Sequence, residues 1–306
     1  MTTLHEDELF IDPATVRALV DRDFPGHEDL VLRPLGATGS TNLLFRLGTE
    51  FLVRLPRQPG NGESIHKEVR WGSVIGRTLP VATPEIIGLG EPGFGFPEPW
   101  SVVRWIDGRH PELAGGPSQA ELARDLAAVI AALRSAEVSP EALADPTLRW
   151  YRGQPLATRD AGTRQTIQQC RSIADLDLDL DAALRIWDEA MRLPGVDTEV
   201  EPRWYHGDLL AENLLVTGNR LTAVLDFGSL SIGDPTIDLH GAWELFDEAA
   251  RTVFRTELGV DEAEWLRGRA WALATALGTF TYYWDTMPER RASRLAMARA
   301  ILADGA

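Results

Sequence analysis

Only one cysteine, Cys170, stands in the 306 residues. That excludes an intrachain disulfide and any metal site built from several thiolates, and leaves a buried, inert thiol as the plain expectation. Basic residues are also scarce: 30 Lys+Arg face 46 Asp+Glu, a formal net charge of −16. Without an excess of cations to neutralise phosphates, nucleic-acid binding is disfavoured. The negative field would attract a cationic small molecule, or serve solubility alone. Long apolar runs are missing as well. The longest uncharged stretch, Ala270 to Trp284, has 15 residues with three Thr and a Gly, too short and polar to span a bilayer comfortably. The opening residues, MTTLHEDELF, lack the basic stretch and apolar run of a secretory signal, so a reducing cytoplasm and no membrane partner are expected. No internal repeat or low-complexity tract is visible.

What is present suits a globular chain: 44% apolar and 25% charged residues, long enough for one large or two modest domains. Asp12-Pro13 reads as an N-cap and a first-turn proline, opening a helix through Val20. Short apolar runs at Leu30–Leu32, Leu43–Leu47 and Phe51–Leu55 are separated by turn residues and predict antiparallel strands. A helix over 64–77 would turn Ile65, Val69 and Val74/Ile75 inward, and Trp100–Ile106 predicts another strand. Ser118 to Glu121 forms a capping box, after which Leu122, Leu126, Val129/Ile130 and Leu133 recur at helical spacing. The first third is strand-rich and the rest helix-rich, interrupted at 203–240. We therefore expect an α+β protein of two unlike parts, 1–104 and 105–306.

The interruption carries the chemistry. It reads His206-Gly207-Asp208-Leu209-Leu210-Ala211-Glu212-Asn213, then two apolar runs around Gly218-Asn219, then Asp226-Phe227-Gly228. The runs predict a β-hairpin whose ends lie side by side, with Asn213 entering and Asp226 leaving. Asp208, on the preceding loop, can reach the same point. A nucleoside triphosphate needs Mg²⁺ across its phosphates, and Mg²⁺ takes hard oxygen ligands, which Asn213 and Asp226 supply. Asp208 is placed to orient an acceptor hydroxyl and take its proton as general base. Each residue has a plainer use, since Asp208 or Asn213 can cap a turn and Asp226 can start one. His206 reads as a packed loop anchor.

At these residues the sequence resembles the protein-kinase-like phosphotransferases, and most closely the aminoglycoside phosphotransferase family. The carrying motifs are HGDLLAEN (206–213), DFG (226–228) and GDPTIDL (233–239), with LVRLPR (52–57), KE (67–68) and WSVVRWIDG (100–108) in support. The resemblance implies a two-lobe, kinase-like fold, with an antiparallel sheet plus helix in a nucleotide-binding N-terminal lobe and a larger, mainly helical C-terminal lobe. It also implies ATP or GTP as donor. Within Gly36–Asn42, Ser40 and Thr41 would lie over the phosphates. Arg54, where protein kinases carry lysine, would hold phosphate with Glu68 as its partner, although each can also be an unrelated surface charge. Backbone groups at Arg104 and Ile106 would meet the base. Asp234 and Asp238 would support the loop.

Only four residues separate Gly228 from Gly233, and no A-P-E follows. The activation segment that docks a peptide has no room, so the expected acceptor is a small molecule and not a protein. Glu244, Asp247 and Glu248 are spaced to share a helix face, and could hold the ammonium groups of a cationic acceptor or form a solvated acidic face. Tyr282, Tyr283 and Trp284 could line a sugar pocket or belong to the core. The expectation is a kinase of an antibiotic hydroxyl, with a cationic aminosugar the leading family choice. Nucleoside, peptide and macrolide antibiotics, choline-like metabolites, sugars and a non-catalytic pseudokinase are the alternatives.

Overall fold

The computed structural model describes Leu4 and residues 7–36, 41–113 and 119–304. Two compact units emerge. The first comprises Met1–Arg77, Ala82–Asp107 and Leu225–Gly228; the second comprises Thr78–Val81, Gly108–Val224 and Ser229–Ala306. Leu225–Gly228 groups with the first unit although it lies far down the chain, so no single cut at 104 reproduces the division.

The first unit opens with α1 (Pro13–Asp23), capped as expected by the Asp12 carboxylate, which accepts from the amides of Ala14 and Thr15. Five strands follow: β1 (Leu32–Pro34), β2 (Asn42–Leu47), β3 (Phe51–Pro56), β4 (Ile86–Gly90) and β5 (Trp100–Arg104). They form one antiparallel sheet in the order β1-β2-β3-β5-β4. β4 was not foreseen, because Ile86 and Ile87 are followed by Gly88 and Gly90, residues that weaken a strand signal. There is room for little else at these glycines: a Cβ at Gly88 would press on the Phe24 ring and one at Gly90 on Trp100. Val16, Leu19, Val20, Phe45, Leu47, Val53, Leu55 and Trp100 form the core between α1 and the sheet. The strand expected at Leu30–Leu32 begins only at Leu32, and the one expected to reach Ile106 ends at Arg104.

The helix expected over 64–77 is present but not regular. It runs as α2 (Glu63–Lys67), a π-helical turn over Glu68–Gly72, and α3 (Ser73–Gly76). The wider turn rotates the inward face. Ile65 and Ile75 are buried as expected, whereas Val74 is exposed and Glu68 and Trp71 are buried in its place. Isolated π-turns of this kind recur where a functional side chain must be re-aimed.

The second unit holds α4 (Ala120–Ser135), α5 (Pro140–Ala144), α6 (Asp160–Cys170), α7 (Leu180–Ala190), α8 (Ala242–Leu245), α9 (Glu248–Leu258), α10 (Glu262–Tyr283) and α11 (Pro288–Ala303). Two small antiparallel pairs accompany them: β6 (Arg203–Tyr205) with β9 (Ser231–Gly233), and the expected hairpin of β7 (Leu214–Thr217) with β8 (Arg220–Val224). α10 packs on α6 and α11, and α4 on α9. α10 is buried at Trp265, Trp271, Leu273, Leu277 and Phe280. No helix among the described residues is long and apolar enough to cross a membrane. Ser118 of the expected capping box lies outside the described residues; α4 begins after Gln119.

Candidate active site

In the first unit, β3 carries Arg54 and the π-turn delivers Glu68 to it. Both are buried, and the pair is bidentate: Nη1 donates to Oε2 at 2.6 Å and Nη2 to Oε1 at 3.1 Å. This fork-to-carboxylate match is the geometry arginine offers and lysine does not. Asp226 belongs to the same unit, its Oδ1 3.7 Å from Arg54 Nη2. Burial disfavours the Arg54 charge, but Glu68 and Asp226 more than compensate and hold it firmly protonated.

Asp226 sits at φ 55°, a left-handed conformation uncommon for any residue but glycine and tolerated best by Asn and Asp. Such strain clusters at functional positions. The fold enforces it locally. Phe227 is buried, and a Cβ on Gly72 of the π-turn would approach Phe227 Cβ at 3.3 Å. Gly228 donates its amide to Asp226 Oδ1 at 3.2 Å. A Cβ there would stand 3.1 Å from Asp226 Oδ1 and 3.2 Å from Glu68 Oε1, so the glycine lets the two carboxylates share the neighbourhood of Arg54.

In the second unit the loop after β6 is built around two buried groups. Asp238 accepts from the amides of His206 (2.9 Å) and Gly207 (2.7 Å), fixing Gly207 at φ +84°. His206 is fully buried and its Nδ1 accepts from the Asp208 amide at 3.2 Å, the anchoring role read from the sequence. Asp234 caps the following turn by accepting from Thr236 N. The loop presents Asp208, which keeps 29% of its side-chain surface.

Both Asp208 oxygens are held. Oδ2 accepts from Asn213 Nδ2 at 2.9 Å, and Oδ1 from Arg152 Nη1 at 2.9 Å. Asn213 Nδ2 also donates to Asp208 O at 2.8 Å, which leaves the amide Oδ1 as its remaining donor atom toward a cation. Burial raises the Asp208 pKa, but the Arg152 guanidinium overcomes it and holds the carboxyl down at about 2. His240 is neutral, since burial lowers it to about 3. Arg152 also donates to Gly207 O at 2.5 Å. Sequence reasoning missed Arg152, which lies 56 positions before Asp208 on a single 3₁₀ turn, Tyr151–Gly153, with no motif around it.

The remaining expectations fare unevenly. Ser40 lies outside the described residues. Thr41 is exposed at the start of β2, its carbonyl accepting from Arg57 N. The Arg104 amide already donates to Glu85 O and its exposed side chain pairs with Glu85, so that backbone donor is not open to a base; Ile106 lies just past β5. Glu244, Asp247 and Glu248 do not share one helix face, because α8 ends between them. Glu244 is buried on α8, Asp247 caps α9 by accepting from Ala250 N, and Glu248 starts α9. Glu244 is engaged: it accepts from Ala211 N (2.9 Å), Ser293 Oγ (2.5 Å) and the Arg294 guanidinium. Trp284 follows α10 half-buried, edge-on to Phe280 and under Arg291. A cavity of about 660 Å³ beside α9 and α10, lined by Arg251, Arg255 and Trp265 among others, includes no residue of the 206–213 loop.

Comparison with known proteins settles what family assembles these pieces. The profile of the phosphotransferase enzyme family (APH) matches residues 32–271, most of the chain. The chain belongs to the phosphotransferase enzyme family. Among solved structures it is similar to the GDP complex of aminoglycoside 2'-phosphotransferase-IIIa, at 19% identity and TM-score 0.73 over 97% of this chain and 100% of that one. It is also similar to the macrolide 2'-phosphotransferase MphH of Brachybacterium faecium, at 23% identity and TM-score 0.61 over 94% and 97%. A third is APH(2'')-Ib with ADP bound, at 16% identity and TM-score 0.62 over 95% and 99%. At these identities the likeness is one of fold, which is the two-lobe kinase-like fold expected from the sequence. No curated protein sequence matches the chain.

Proposed function

We propose that this phosphotransferase moves the γ-phosphoryl group of ATP or GTP to a hydroxyl of a small-molecule antibiotic. The observation that carries the reading is the doubly held Asp208, with one carboxylate oxygen on Asn213 and the other on Arg152. Each oxygen keeps a lone pair with which to receive an acceptor hydroxyl. A carboxyl held near 2 stores no proton between turnovers. Its work is to orient the hydroxyl and accept its proton as the bond to phosphorus forms, which suits a loose phosphoryl-transfer transition state.

The donor set fits Mg²⁺. Asn213 Oδ1 and the Asp226 carboxylate are hard oxygen donors of the kind Mg²⁺ takes, and these two residues would hold the ion. Bound there with nucleotide, the ion would neutralise charge on the phosphates. Arg54, kept in place by Glu68, would hold the phosphates from the first unit, and Ile106 and Thr41 would lie along the nucleotide. Relatives of this fold have been solved with GDP, ADP and ATP, and with kanamycin, gentamicin and streptomycin. Others are macrolide 2'-phosphotransferases. That range makes an antibiotic the acceptor of choice and leaves its class to the chemistry around Asp208.

The test is incubation of the full chain with Mg·ATP and Mg·GTP against kanamycin, gentamicin, streptomycin and macrolides, read by mass spectrometry. A phosphoryl mass increment on a panel member, dependent on Mg²⁺, is the expected result. Binding of Mg·nucleotide without any phosphorylated product would support a non-catalytic nucleotide binder instead.

A further inference from the structure

The cavity of about 660 Å³ beside α9 and α10 lies within the second unit, and three arginines line it: Arg251, Arg255 and Arg269. Two of them are answered by carboxylates. Arg251 Nη2 donates to Asp304 Oδ1 at 2.9 Å, and its Nη1 donates to Phe246 O at 2.9 Å. Arg255 Nη2 donates to Glu262 Oε2 at 2.6 Å. Arg269 has no such partner. It is only 6% exposed, and its one hydrogen bond among the described residues runs from Nη1 to a main-chain carbonyl, Asp304 O, at 3.2 Å. Both carboxylate oxygens of Asp304 are engaged elsewhere, Oδ1 by Arg251 and Oδ2 by Trp243 Nε1 at 3.0 Å. Glu248, the remaining acid on the cavity wall, is exposed at the first position of α9 and pairs with none of the three arginines.

A lysine, histidine or carboxyl group left unpaired inside a protein can lose its charge by titrating, but arginine cannot. A guanidinium withdrawn from water without a counter-charge is costly, so Arg269 calls for an anion. Its Nε is buried without an acceptor, as is that of Arg251. Its Nη2 makes no hydrogen bond either and, unlike Nε, is not sealed off, so it is the donor open to the cavity. The room far exceeds the about 30 Å³ of one water and falls within the about 300–1,000 Å³ usual for small-molecule sites. Val260 and Leu266, both half-buried, add an apolar stretch of wall.

We propose that this cavity is a further binding site, for a small organic oxyanion whose carboxylate or phosphate head pairs with Arg269 and whose carbon body lies along Val260 and Leu266. Arg251 and Arg255 keep their own acids, so the site offers one free guanidinium and takes one anionic head. The site stands on these contacts alone and does not rest on the kinase reading.

The experiment is calorimetric titration of the full chain at fixed ionic strength with benzoate, phenyl phosphate and uncharged benzamide. At least one of the two anions is expected to saturate a single site and to bind at least about tenfold more tightly than benzamide. Tighter benzoate would identify a carboxylate head, and tighter phenyl phosphate a phosphate head. Arg269→Met, which keeps the length of the side chain but not its charge, should weaken the favoured anion by about 10–100-fold while circular dichroism stays unchanged. Thr256→Trp, on the exposed face of α9 that lines the cavity, should block binding with all three arginines in place, and it decides the matter where Arg269→Met fails to fold. No saturable binding of either anion, or benzamide bound as tightly as both, would overturn the proposal. So would anion affinity unchanged in both variants, which would put the anion at another place on the chain.

Discussion

Arg152→Ala removes the guanidinium that holds Asp208 Oδ1 and Gly207 O. The pair is part-buried, with 19% and 29% of the two side chains exposed. A fully buried pair broken on one side costs about 3–5 kcal/mol. Partial exposure moves the expectation to the range of a single charged hydrogen bond, about 1–3 kcal/mol. At about 2–4 °C per kcal/mol, calorimetry should show a lower Tm. The larger effect falls on catalysis. With one oxygen released, the carboxylate loses its orientation, and kcat should drop on the order of 100-fold while the KM for nucleotide changes little. The pH dependence gives an independent reading. In the native chain Asp208 lies near 2, below its ordinary 3.8, so the stability it contributes is complete above the ordinary value and is lost as pH falls from 3.8 toward 2. Without Arg152 the burial penalty is left in command. Asp208 then protonates at higher pH than in the unfolded chain, and the acid limb of kcat/KM moves upward. Arg152→Lys keeps the charge but not the fork, so it should return the limb toward the native position and restore kcat only in part. An Arg152→Ala enzyme with native kcat and an unmoved acid limb would refute the reasoning.

Four further outcomes follow from the same geometry. Arg54→Met and Glu68→Gln should each destabilise the first unit by about 3–5 kcal/mol and raise the KM for nucleotide, and the double variant should cost less than their sum, as a double-mutant cycle in urea would reveal. Gly241→Ala would drive a methyl group into Leu209 O in the catalytic loop, so kcat should fall with nucleotide affinity retained by calorimetry. Asp238→Asn weakens the acceptance of the His206 and Gly207 amides and should lower Tm by a few degrees, about 1–2 kcal/mol, in thermal melts. Burial pushes the Cys170 thiol up to about 11, so alkylation should be slow in the native protein and rapid in guanidinium chloride.

The candidate residues of the proposed site were legible in the sequence because phosphoryl transfer would need oxygen-bearing side chains at fixed spacing along one stretch of chain. Asp208, Asn213 and Asp226 fall around a hairpin whose Gly218-Asn219 turn is written in the sequence, and the hairpin forms in that register. The Arg54–Glu68 pair was suggested by analogy, and its geometry depends on a π-turn that no helical periodicity announces. That turn is also why Val74 is exposed. Arg152 was invisible because its partner is distant in sequence and its short 3₁₀ turn leaves no repeat to read. The acidic residues at 244–248 misled for the opposite reason. Their spacing suits one helix, but the helix ends at Leu245 with Phe246 extended, and Arg294, 50 positions away, neutralises Glu244.

The central claim is that Asp208 receives the acceptor's proton during phosphoryl transfer. It is tested most directly by Asp208→Ala, assayed for phosphorylated acceptor with Mg·nucleotide binding measured on the same preparation. The account predicts at least about a 1,000-fold loss of kcat with nucleotide affinity nearly unchanged. Product formation at the native rate by that variant would contradict it.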